Sequence, residues 1–244
     1  MAERTTGIII KQSDFGEGHR MLWIFTQKYG IIKAVAHGAE KTKSRSSAST
    51  QFLSYSEFEF YDNSEIWNIR SVVPSDTFWP IQEDIVKLAL CTYFADLVFY
   101  SLDLHNADNN IFRLMLNTLY GCAYKSYPLK AIKLIFELKL MYFSGMLPAP
   151  NQCLGCGCDH GIAFFDKGSG GVFCEECGRG NLVKLTEDEY KVLFLGALCD
   201  MKKMFSYKLP EAAVDKLAPT IESYVSAALD RDIKSLEYYR KLTL

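Results

Sequence analysis

Between Gly7 and Val73 short apolar runs alternate with turn-forming residues, and the pattern predicts five strands: Gly7–Lys11, Arg20–Thr26, Ile31–His37, Phe52–Tyr61 and Ile66–Val73. Residues 57 to 60 alternate glutamate and phenylalanine, the period of a strand with one wet face. Gly16-Glu17-Gly18, Tyr29-Gly30, the polar stretch 40–50 and Asp62-Asn63-Ser64 supply the breaks. Five short strands in so few residues suit a small barrel, with an OB-like fold as the first expectation and an SH3-like barrel as the second.

At Pro80 the period changes from two to that of a helix. Proline suits the first helical position, and Ile81, Ile85, Leu88, Ala89 and Thr92 follow at helical spacing. Further helices are predicted at Asn109–Tyr124 and Leu129–Ser144, the latter apolar on most faces and so expected at the centre of a bundle. Thr186 and Glu189 form a capping-box pattern that opens a helix running to about Lys203. Pro210 and Pro219 are expected to punctuate the remaining tail helices. The fold class expected is therefore α+β and multi-module. An OB-like barrel at 1–78 is followed by a helical domain, 79–150 and 181–244, interrupted by a cysteine-rich ribbon at 151–180.

The chain has 244 residues, of which 49% are hydrophobic, ample for a buried core and unlike a disordered or fibrous composition. Its start lacks a long apolar leader, and its most apolar windows are broken by Asp96, or by Glu137 and Lys139. A cytoplasmic protein with no membrane partner is expected.

Among the eight cysteines, Cys153/Cys156 and Cys174/Cys177 form two CxxC pairs with seventeen residues between them, a spacing within the zinc-ribbon window. Two intervening residues let one tight turn aim both sulfurs at an ion, and two such turns complete a tetrahedron. Gly157 and Gly178 follow each pair, where a positive φ would bring backbone amides towards the thiolates. Ile162–Phe165 and Val172–Phe173 read as a hairpin around 166–171. Disulfides do not suit an intracellular chain, a redox dithiol would call for one CxxC beside a βαβ unit, and four thiolates leave no position for an activated water. One structural Zn²⁺ per chain is expected. Cys158 and His160 stand close enough in sequence to replace Cys156, while Cys91, Cys122 and Cys199 lie in apolar surroundings as small core residues.

Charge divides the chain unevenly. Residues 1–50 hold five lysines and three arginines against four acids, a net of +4, so 51–244 carry −6 of the overall −2. Lys28 and Lys33 flank a turn, and Lys41, Lys43 and Arg45 alternate through a serine-rich loop, with Arg20, Trp23, Phe25, Tyr29 and His37 in the adjoining strands. Spaced cations can neutralise successive phosphates, and exposed rings can stack on bases. Arg20, Lys28, Lys33, His37, Lys41, Lys43 and Arg45 are thus the candidate DNA-binding residues. The competing reading is a solvated loop over core aromatics.

No catalytic motif stands out. Gly38 to Ser44 is only superficially like a phosphate-binding loop; HExxH, GxSxG and a deaminase HxE are absent, and no histidine has an evident catalytic partner in sequence. A nuclease built from scattered carboxylates and a zinc-stapled interaction scaffold are the alternatives.

The stretch from Gly7 to His37, with Asp14-Phe-Gly-Glu-Gly-His-Arg, Phe25-Thr-Gln-Lys-Tyr-Gly and Ala36-His-Gly-Ala, closely resembles the N-terminal domain of the bacterial recombination mediator family RecO. So do Phe136-Glu-Leu-Lys-Leu, Cys153-Leu-Gly-Cys-Gly and Gly170-Gly-Val-Phe-Cys-Glu-Glu-Cys177, and the order of modules extends the likeness over nearly the whole chain. The resemblance implies a non-enzymatic factor for DNA repair and homologous recombination that binds single- and double-stranded DNA and anneals complementary strands. It further implies that, with RecR, the factor helps RecA onto DNA coated by the single-stranded-DNA-binding protein, whose acidic C-terminal tail is a partner. A nucleoid-associated location is the corresponding expectation.

Overall fold

The computed structural model describes residues 3–37, 50–62 and 65–243. Five strands, β1 (Glu3–Asp14), β2 (Arg20–Thr26), β3 (Gly30–Ala36), β4 (Tyr55–Asp62) and β5 (Trp67–Asp76), close into a barrel in the order β1-β2-β3-β5-β4. All neighbours are antiparallel except β3 and β5, and β4 returns to β1. This closure is that of the OB fold and decides against the SH3-like alternative. Period-two alternation sends Ile9, Leu22, Ile24, Ile32, Phe58, Phe60 and Trp67 inward. Ala34, also inside, sits opposite Trp67 across the β3–β5 pair, so a small residue makes room for the largest one. β1 exceeds the apolar run Gly7–Lys11 at both ends, because a register shift between Ile9 and Lys11 lets it pair β4 with its first half and β2 with its second.

By packing, the chain groups into two compact units, residues 1–124 with 234–244, and residues 125–233. In the first, the barrel is joined by α1 (Trp79–Gln82), α2 (Ile85–Ser101), α3 (Asn109–Tyr124) and α7 (Lys234–Thr243). Asp84 caps α2 by accepting from the amides of Val86 and Lys87 at 2.9 and 3.1 Å. The Phe25 ring meets Phe112 of α3 at 5.3 Å, and Ser235 of α7 donates to Asp96 of α2 at 2.6 Å.

The second unit holds α4 (Leu129–Phe143), α5 (Glu187–Leu198), α6 (Glu211–Leu229) and the cysteine ribbon. As its composition predicts, α4 is buried on every face from Ala131 to Met141, packing against α5 and α6. Its buried charges are matched: Lys133 Nζ lies 2.6 Å from both Glu137 and Glu222. Lys139 donates to the carbonyls of Cys199 and Ala197 at 2.5 and 3.3 Å. Those contacts accompany the end of α5 at Leu198, earlier than the Lys203 expected, where Cys199 turns extended. Pro219 also departs from expectation: it lies inside α6, where packing offsets the one backbone hydrogen bond that a proline forgoes. Among the described residues no helix is long and apolar enough to cross a membrane.

Candidate functional site

Two places gather the residues with chemistry: the basic face of the barrel and the cysteine ribbon. On the barrel, antiparallel register decides which cations meet. β2 begins at Arg20, which pairs with Asp14 of β1 and Ala36 of β3, and His37 follows directly after β3. His37 Nε2 lies 3.1 Å from Asn68 Oδ1, and its ring meets His19 edge-on at 4.8 Å. Arg20 and His37 therefore share one end of the barrel. Lys41, Lys43 and Arg45 follow His37 in sequence and lie outside the described residues.

Lys28 belongs to the opposite end, in the β2–β3 turn, roughly 20 Å from Arg20 along the strand. The turn is held by Thr26, whose hydroxyl donates to the Gly30 carbonyl at 2.8 Å and accepts from the Tyr29 amide at 2.9 Å. Gly30 has φ +65°, and a methyl there would lie 2.4 Å from the Asn106 carbonyl oxygen, so neither the conformation nor the space admits a side chain. Lys28 Nζ is 3.1 Å from Glu3 Oε2, and Tyr29 OH donates to the same carboxylate. The Tyr29 hydrogen bond and then that of Lys28 hold Glu3 below the ordinary carboxylate range. A phosphate would have to compete with Glu3 for Lys28.

Lys33 lies between these ends, opposite Trp23, which in turn stands opposite Lys11 of β1. Lys11 Nζ sits 5.2 Å from the Trp23 ring and 4.6 Å from that of Phe99 on α2. The row Lys11–Trp23–Lys33 across three strands is not visible in linear sequence, because it depends on the β1 register shift. Lys11 was legible as a strand residue but not as a neighbour of Trp23.

The ribbon is built from β6 (Ile162–Phe165), β7 (Val172–Cys174) and β8 (Val183–Lys184), with β6 central. The Asp166 carboxylate shapes the hairpin turn by accepting from the amides of Gly168 and Ser169, both at 3.1 Å. Each CxxC closes on itself: Gly157 N donates to the Cys153 carbonyl at 2.8 Å, and Gly178 N to the Cys174 carbonyl at 2.9 Å. Gly157 takes φ +76°, as expected. Gly178 does not adopt a positive φ; glycine is needed there because a methyl would lie 2.2 Å from the Phe164 ring.

The sulfurs of Cys153, Cys156, Cys158 and Cys174 all lie within 4.8 Å of one another, and the Cys156–Cys174 separation is 3.8 Å. Four sulfurs at zinc-bond lengths define a tetrahedron whose edges are about 3.8 Å, so the spacing fits such an ion. Cys177, the fourth ligand expected from the spacing, is not among these four, where Cys158 stands instead; its sulfur packs over Gly155, 3.0 Å from where a methyl on that residue would lie. Burial alone would raise the Cys153 thiol, but the amides of Cys174, Cys156 and Gly155 outweigh it and bring it to about 6. Contact with Cys156, then burial, then contact with Cys174 pushes Cys158 up to about 12; contacts with Cys156 and Cys174, then burial, do the same for Cys177. His160 lies outside the sulfur group, its exposed ring 3.2 Å from Asp159. Cys91 and Cys122 are core residues, whereas Cys199 is half-buried at the end of α5.

Comparison with known proteins extends over both places. The family described as Recombination protein O N terminal matches residues 1–78, and Recombination protein O C terminal matches 82–237. The chain belongs to the RecO family. Its RecO relatives include the DNA repair protein RecO of Caldicellulosiruptor saccharolyticus, 28% identical over 97% of this chain and 97% of the relative. Those of Alkaliphilus metalliredigens and Oceanobacillus iheyensis are 29% and 30% identical, covering 99% and 92% of this chain and 100% and 87% of the relatives. RecO membership places the chain in DNA repair and recombination, and the match across barrel and ribbon treats both as parts of one protein.

Proposed function

We propose that this RecO-family chain is a non-enzymatic recombination mediator. In this reading segment 1–78 binds single- and double-stranded DNA and brings complementary strands together. The observation that carries it is family membership over both regions, joined to a basic first fifty residues on an otherwise acidic chain. Arg20 and His37 at one barrel end, with Lys41, Lys43 and Arg45 following in sequence, are the proposed phosphate contacts; Lys33 lies further along the strand, and Lys28 is secondary because Glu3 pairs with it. Pairing is already favoured by stacking. A factor that screens phosphates and holds two strands close raises its rate without ATP.

With RecR, the protein would then assist RecA loading onto DNA coated by the single-stranded-DNA-binding protein, recruited through that protein's acidic tail, in the bacterial cytoplasm at the nucleoid. Segment 151–180 would hold one Zn²⁺ through Cys153, Cys156, Cys174 and a fourth thiol such as Cys177. Bound there, the ion would cross-link the two CxxC turns and supply no reactive water.

Annealing of labelled complementary oligonucleotides, naked and coated, tests this reading. Acceleration without nucleotide that fades as salt rises is the expected result. A strict ATP requirement, or magnesium-dependent loss of a gapped substrate, overturns it. Deleting the end of the partner tail is expected to abolish annealing of coated strands and spare naked ones.

A further inference from the structure

The ribbon brings together one thiol more than a four-coordinate ion takes. Cys153 and Cys174 are its buried pair: the Cys153 sulfur accepts from the amides of Gly155 and Cys174, each at 3.3 Å. Cys156, 3.8 Å from Cys174, extends that pair to three. Two further cysteines, both half-exposed, then compete for one remaining vertex. Cys177 packs over Gly155, where a methyl would lie 3.0 Å from its sulfur and 3.6 Å from that of Cys153, while the Cys158 sulfur lies within 4.8 Å of those of Cys153, Cys156 and Cys174.

Cys158 is not a stray side chain near the cluster. Its carbonyl accepts from the Cys153 amide at 2.7 Å, so its backbone closes the first knuckle. Gly157, at φ +76°, turns the chain between Cys156 and Cys158 so that both sulfurs face the same point. From that same position the Cys158 thiol donates to the His160 carbonyl oxygen at 3.3 Å, a contact open to its protonated form and not to a thiolate. A sulfur that lies among the ligands and also has a carbonyl to donate to is served in either state, bound as a thiolate or free as a thiol.

We propose that Cys158 and Cys177 alternate as the fourth thiolate of the metal centre, beside Cys153, Cys156 and Cys174. This rests on the reading of the ribbon as a zinc site. In the exchange one metal–sulfur bond breaks as the other forms, and the proton of the incoming thiol passes to the departing thiolate, leaving the charge of the site unchanged. The centre thereby keeps four sulfurs when either residue is replaced, and one thiol always stands free at the half-exposed edge of the ribbon.

The test uses the full chain and its Cys158→Ser, Cys177→Ser and doubly substituted variants. Each is purified under reducing conditions, assayed for zinc and loaded with Co²⁺, whose visible and thiolate charge-transfer bands distinguish four sulfurs from three. One equivalent of metal and a four-sulfur spectrum in both single variants, with a three-sulfur spectrum or loss of metal in the double variant, is the expected result. Collapse of either single variant to three sulfurs overturns the exchange, assigning the vertex to that residue alone. Absence of metal from the unsubstituted chain refutes the zinc reading itself and so is distinguishable from failure of the exchange. Co²⁺ titration of the unfolded chains, refolded with metal, provides the same readout for a variant that does not purify folded.

Discussion

The barrel and the ribbon are both small β-structures that display polar chemistry, yet they assemble it in opposite ways. In the ribbon, four of the five cysteines within 25 residues converge because each knuckle is a local turn and the hairpin between them is short. On the barrel, Arg20 and His37 come together through β2–β3 register, while Lys28, eight residues from Arg20, is carried to the other end. Local turns fix a ligand set by spacing alone. Register sorts charges by their position along strands, so nearness in sequence is a poor guide to nearness on the surface.

The comparison breaks most forcefully at the metal. If the ribbon depends on its ion where the barrel depends on packing, Cys174→Ser is expected to lose the metal and lower the melting temperature of residues 125–233 by roughly 10 °C or more. DNA affinity should stay within about twofold, as metal analysis, thermal melts and binding titrations will show. A melting temperature that does not move would mean that the ribbon, like the barrel, is held by its apolar contacts.

Next in size is the basic loop. Replacing Lys41, Lys43 and Arg45 together by glutamate is expected to weaken DNA binding roughly 100-fold at low salt, and to reduce the salt slope by about 0.7–0.9 for each phosphate no longer neutralised. An unchanged slope in the folded variant would move the DNA surface to the Lys11–Trp23–Lys33 row. Gly30→Ala sets a methyl against the Asn106 carbonyl in a left-handed conformation, and should cost about 2 kcal/mol in urea unfolding while sparing the metal.

The smallest effect is the sharpest test of sorting by register. Lys28→Ala should change DNA affinity less than twofold at neutral pH, because Glu3 already occupies the ammonium. In a Glu3→Gln background the same substitution should cost more, and a double-mutant cycle reads the difference. Glu3 is depressed in the fold, so its tie to the turn is fully present above the ordinary carboxylate range and is lost as pH falls through its lowered value. The two Lys28 effects should therefore converge in acid.

What the sequence alone settled was whatever depends on neighbours along the chain. The inward phenylalanines of Glu57–Phe60, the Thr186–Glu189 capping box, the core position of Cys91 and Cys122, and the approach of Cys153, Cys156 and Cys174 were legible, because periodicity and turn chemistry act over a few residues; that Cys158 joins those three was not. Tertiary structure decided the rest. It closed β3 on β5, accommodated Pro219 inside α6, ended α5 at Leu198, required glycine at 178 for space rather than for φ, and paired Lys28 with Glu3. Three of these turn on a contact with a residue distant in sequence: Trp67 opposite Ala34, Lys139 on the Cys199 carbonyl, and Phe164 against Gly178. Such contacts depend on strand register and on which faces pack together. Because packing energy is shared among many side chains at once, no short window of residues encodes them.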